Sequence, residues 1–238
     1  MAIAPFLAMT AAEMRNHTVL PPKIAWMACH FSPYGLGLSN LPQTLPPGSL
    51  LMVDDITPLH GHDPVLIAEQ LTFCAENLRC SGILLDFQRQ NCPETGELAK
   101  YLTGALPCPA AVSEVYAGDL DCPVILSPVP PSVVPEDHFA PWQGREIWME
   151  IGLSGEILTL TDRGCDTAPL PFPDPNREGY SDPKLHCHYT IETKENSAVF
   201  TLWRNREDVQ ELLEEAETLG VTTAVGLFQE LHGFAQNM

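Results

Sequence analysis

Positive charge is what this 238-residue chain most lacks: 12 Lys and Arg stand against 31 Asp and Glu, a formal net charge of −19. Such a surface repels the phosphates of nucleic acids and anionic lipid headgroups, so neither a nucleic-acid partner nor a membrane partner is expected. No apolar run is long enough to span a bilayer, and Met1 to Met9 carries no Lys or Arg ahead of its apolar stretch, so the expected location is cytoplasmic. The eight cysteines are scattered without a C-x-x-C pair, which argues against a zinc knuckle or a disulfide framework and for reduced thiols. There is no G-x-G-x-x-G, no Walker loop and no G-x-S-x-G; nucleotide binding and serine hydrolysis lose their usual anchors, and no cofactor is expected.

What is present is a globular composition, 45% apolar and 18% charged, broken into short elements by 23 prolines. Ile24–His30 and Leu50–Asp54 are short apolar runs between turn residues, as buried parallel strands are. In the segment from Asp63, DPVLIAEQLTFCAENL, an aspartate cap, a proline at the first helical position and apolar residues at helical spacing predict a helix. It leads into Gly82–Phe87 and a second helix over Glu94–Leu106, which makes a strand–helix–strand unit.

Further strands are expected at Ala110–Glu114, Pro123–Leu126, Glu146–Ile151, Ala198–Trp203 and Thr222–Phe228. The last two flank an amphipathic helix from Arg206 to a glycine stop at Gly220. Eight strands in this length predict a single domain, residues 1–238, folded as an α/β (β/α)8 TIM-type barrel. Some helices are missing between Glu114 and Glu146, and residues 152–197 read as a β-hairpin insertion between strands 6 and 7. That insertion is also the expected contact for a homodimer.

In such a barrel the site forms at the C-terminal strand ends. Acids stand at six of these ends: Asp54 or Asp55, Asp86, Glu114, Glu150, Glu192 and Glu230. Carboxylates sharing one pocket shift each other's pKa values and so divide acid and base roles. Tyr34, Tyr116 and Trp142 are the aromatic residues placed to contact a ligand by stacking; Trp26, Trp148 and Trp203 fall inside strands and are expected in the core.

The stretch Gly82-Ile83-Leu84-Leu85-Asp86-Phe87-Gln88 resembles the signature strand of the family 18 glycoside hydrolases, D-G-x-D-x-D-x-E, which that family carries on its fourth barrel strand. Gly82 matches the glycine, Asp86 the last aspartate and Phe87 the aromatic between it and the final acid. Ser81 stands in the first aspartate's place, Leu84 in the middle one's, and Gln88 in that of the proton-donating glutamate. The resemblance implies a barrel that acts on or binds an oligosaccharide, with Asp86, Gln88 and Glu114 at its centre and Asp54, Asp55 and Glu230 lining the pocket. It also implies a disabled proton donor, because an amide cannot give up a proton, unless another acid such as Glu114 has taken that role.

A rival reading starts from Asp54-Asp55 and His60-Gly61-His62-Asp63. Imidazoles and carboxylates suit a transition metal, so His30, His60, His62 and Asp55 are the ligand set of a metal-dependent hydrolase of the amidohydrolase kind. His186 and His188 also alternate, inside the insertion, where exposed polarity is expected.

Overall fold

The computed structural model describes residues 3–171 and 173–232; Met1 and Ala2 of the apolar N-terminal stretch lie outside them. In chain order the strands are β1 (Phe6–Met9), β2 (Ile24–Phe31), β3 (Leu38–Ser39), β4 (Leu50–Asp54), β5 (Gly82–Asp86), β6 (Ala110–Ser113), β7 (Val124–Leu126) and β8 (Ile147–Ile151). Then come β9 (Gly155–Thr161), β10 (Gly164–Pro169), β11 (Tyr180–Asp182), β12 (Cys187–Lys194), β13 (Ser197–Trp203) and β14 (Val221–Leu227). The helices are α1 (Ala11–Asn16), α2 (Pro64–Leu78), α3 (Pro93–Ala105), α4 (Glu114–Ala117), α5 (Pro135–Phe139), α6 (Arg206–Thr218) and α7 (Phe228–Leu231).

The chain divides into two compact units. The first, residues 4–127, 144–150 and 222 onward, is a closed barrel of eight parallel strands in the order β1-β2-β4-β5-β6-β7-β8-β14, with β14 returning to β1. The two-residue β3 pairs antiparallel to the end of β2. Closure leaves no free edge and presents alternate residues of each strand to the interior. Phe6, Ala8, Ala25, Leu50, Leu84, Ala111, Ile125, Trp148 and Val225 form that interior cluster.

Local chemistry explains the elements. Asp63 accepts from the Val65 N–H over 2.9 Å and Pro64 opens α2, whose Ile67, Leu71, Cys74 and Ala75 are buried; Arg79 ends it in the left-handed region. Gly82 is glycine because Trp148 fills the barrel floor. A Cβ there would lie 2.9 Å from the indole Cη2 and 3.1 Å from the Pro109 carbonyl oxygen.

Two strand assignments change places. Phe6–Met9 is a barrel strand that the sequence reading takes only for an apolar stretch; it is too short to show a period and is buried on both faces between β14 and β2. Ala198–Trp203, read as a barrel strand, belongs instead to β13, which pairs antiparallel with β9 and β12. Eight strands therefore stand in the barrel, but Gly82–Asp86 is its fourth, and the antiparallel excursion falls between the seventh and the eighth.

The second unit, residues 128–143 and 151–221, holds a five-stranded antiparallel sheet in the order β10-β9-β13-β12-β11, together with α5, a 3-10 turn at Ala140–Trp142, and α6. Asn205 and Asp208 cap α6 reciprocally. Buried Arg204 donates to the carbonyls of Val129, Leu185 and His186 and to Ser154 Oγ. The two histidines expected to be exposed are tied to α6: His186 lies between Glu211 and Glu215, and His188 Nδ1 is 2.8 Å from Asp208 Oδ2. The described cysteines are all free, and no described helix is long and apolar enough to cross a membrane.

Candidate active site

Strand parity builds the site. Leu50, Leu84 and Trp148 face the barrel interior, so Asp54, Asp86 and Glu150, each an even number of residues further along the same strand, face it too, at the C-terminal end. Ladder register places Asp54 directly across from Asp86, and His30 across from Asp54 on the other side. Three carboxyls from the third, fourth and seventh barrel strands thus share one mouth.

Their environment opposes ionisation. Burial raises the pKa of Asp86, with repulsion from Asp54 and Asp55 adding to it and the Gln88 amide acting against it, Nε2 to Oδ1 at 2.6 Å. Burial also raises Asp54, partly offset by the Ile56 N–H at 3.0 Å and by His30. Glu150 is pushed furthest, to about 7, first by burial and then by the charges of Asp86 and Glu114. A carboxyl near 7 holds or releases a proton at neutral pH, as a general acid must. Glu150 was legible only as one strand-end acid among six. The sharper signal was its place two residues after Trp148 in an otherwise apolar strand.

The other sequence candidates divide. Asp55 is 3% exposed and accepts the backbone N–H groups of Gln88 (2.9 Å) and Arg89 (3.0 Å), so it shapes the turn after the fourth strand rather than lining the mouth. Glu114 stands at the end of the fifth strand and accepts from Ser127 Oγ at 2.6 Å. The Tyr116 hydroxyl donates to the Arg89 carbonyl, closing one loop on the next. Glu230 sits half-buried in α7, after the eighth strand. Tyr34 is 98% exposed on the loop after β2, and Trp142 lies in the 3-10 turn of the second unit. Glu192, counted as a strand-end acid, lies within β12 of the antiparallel sheet.

The proposed metal ligands are not gathered. His62 Nδ1 accepts from the His60 N–H (2.9 Å), which fixes the proton on Nε2 for donation to the Ser32 carbonyl (3.0 Å). His30 Nδ1 faces the Ala28 carbonyl, and both Asp55 oxygens are engaged. Among the described residues no three His, Cys, Asp or Glu side chains are grouped to hold a metal ion.

The fold has counterparts among solved structures. The chain is similar in fold to a spore cortex-lytic enzyme. That protein, SleL of Bacillus cereus, aligns over 94% of this chain and 70% of its own, at 10% identity and a TM-score of 0.57. The Bacillus subtilis protein ydhD, described as a sporulation-specific glycosylase, aligns over 85% of this chain and 90% of its own, at 8% identity and a TM-score of 0.50. At these identities the likeness is one of fold. No protein-family model matches the chain, and no curated protein matches it in sequence.

Proposed function

We propose that this chain is a carbohydrate-acting barrel of the glycoside-hydrolase kind, akin to family 18, in which Glu150 holds the proton that Gln88 cannot. The observation that carries this reading is the pairing of a near-neutral Glu150 with Asp86 in one inward-facing layer of the mouth. Support also comes from the position of the Gly82–Asp86 motif on the fourth barrel strand, where family 18 carries it, and from fold neighbours described as lytic enzyme and glycosylase.

Glycoside cleavage needs a proton for the departing oxygen and negative charge beside the oxocarbenium-like sugar carbon. Protonated Glu150 supplies the first. Asp86, held by the Gln88 amide, and Asp54 supply the second when ionised. Glu114 is the weaker donor candidate because Ser127 already donates to it twice.

The test is hydrolysis of N-acetylglucosamine oligomers across pH. Turnover should fall as pH rises through about 7, and Glu150→Gln should lower it by roughly 10²–10⁴-fold. Unchanged turnover in Glu150→Gln removes Glu150 from the reaction. Tight binding without turnover in the native chain makes it a sugar-binding barrel.

A further inference from the structure

The antiparallel sheet of the second unit has two unlike faces. Residues directly opposite one another in its ladders share a face. One face carries Ile191, Phe200, Leu158 and Thr167 in one row, and Thr193, Ala198, Leu160 and Cys165 in the next row outward. These two rows hold no charge. The row inward of them begins at the β11 edge with Tyr180 against Tyr189, ring centroids 5.6 Å apart. The opposite face holds Glu192, Lys194 and Asp166, and at its inner end His188 is bound by Asp208 of α6. We propose that the uncharged face is the surface by which two copies of this chain pair, sheet against sheet, about a twofold axis near Phe200.

Pattern, exposure, charge and area point to a second copy. Apolar and polar residues alternate along β9, β12 and β13, which is the pattern of a sheet with one covered face. Cover reaches only the inner row, where Leu202 is 5% exposed; farther out Ile191 is 44% and Leu160 40% exposed, and Phe200 and Leu158 are half-buried. A contiguous apolar patch of this kind marks a contact surface. Without a carboxylate or an ammonium in the two outer rows, the face gives a charged partner nothing to pair with. Two chains of net charge −19 repel one another over most of their surface, and an uncharged face is where they approach at least cost. Sheet faces pack aligned on one another, and one apolar face turned by a twofold axis matches itself. Strands about 4.8 Å apart and rows about 7 Å apart give roughly 500 Å² of face per copy, so a pair buries about 1,000 Å², the size at which specific dimers begin.

The test is sedimentation equilibrium of the full chain across concentration. A dimer of twice the single-chain mass should form with a dissociation constant in the micromolar range. Added salt should tighten it, because screening weakens the repulsion between the two acidic chains and the face has no ion pair to lose. Ile191→Glu places a charge at an exposed position of the face and should weaken the dimer at least tenfold; Leu160→Glu should do the same and serves if Ile191→Glu does not fold. Lys194→Glu, exposed on the opposite face, should leave the dimer as it is. Single-chain mass at every concentration up to about 100 μM overturns the proposal. So does a dimer that survives both glutamates on the apolar face, that Lys194→Glu weakens equally, or that added salt dissociates.

Discussion

The side-chain amide of Gln88 reaches back two residues and donates to Asp86 Oδ1 over 2.6 Å. A glutamate at 88 would face the same partner, but as a carboxyl in a layer already crowded with Asp54, Asp86 and Glu150. Gln88→Glu should therefore add a second proton-holding acid and raise N-acetylglucosaminide hydrolysis by about 10²-fold, read with a chromogenic substrate. A variant that folds, binds sugar and shows no gain would mean that the mouth does not orient a glycosidic bond toward position 88.

Glu150 makes stability depend on pH. Its folded pKa of about 7 lies above the ordinary value of 4.5, so the unfolded chain ionises first and the folded state loses ground as pH rises from about 4.5 to 7. The group contributes no penalty below that window and its full penalty above it, on the order of 1–3 kcal/mol. Glu150→Gln should flatten the profile of melting temperature against pH and melt higher than the native chain at pH 8. Parallel profiles for the two proteins would show that Glu150 is not the group responsible.

Asp55 joins the third and fourth strand ends by accepting two backbone N–H groups while 3% exposed. Asp55→Ala leaves both donors without an acceptor and should destabilise the chain by about 2–4 kcal/mol in urea unfolding. A loss below about 0.5 kcal/mol would mean that water replaces the carboxylate there.

Gly82 and Trp148 divide one volume. Gly82→Ala forces a methyl to within 2.9 Å of the indole and should cost about 1–3 kcal/mol. Trp148→Phe removes the clashing atom, so in a double-mutant cycle the alanine should cost less in the phenylalanine background. Additive losses would place the strain at the Pro109 carbonyl instead.

Much of the barrel was legible because its signals are local. The Asp63-Pro64 start of α2, the apolar runs of β2, β4 and β5, and the capped amphipathic α6 each announce themselves within a dozen residues. The acids at strand ends were legible as residues, though Asp55 and Asp54 could not be told apart: adjacent residues point to opposite faces, and only the ladder shows which faces inward.

From the sequence alone came the parallel α/β barrel, the motif strand with Asp86 and Gln88, and the acidic character of the mouth. Tertiary structure decided the rest. Phe6–Met9 enters the barrel because β14 and β2 flank it, and Ser197–Trp203 leaves it because β9 and β12 pair with it antiparallel. Strand partners come from residues far apart in the chain, and four apolar residues do not name theirs. Glu150 is raised to about 7 by burial and by Asp86 and Glu114, which lie 64 and 36 positions earlier in the sequence. A carboxyl's charge depends on what surrounds it in space, and that surrounding exists only once the barrel has closed.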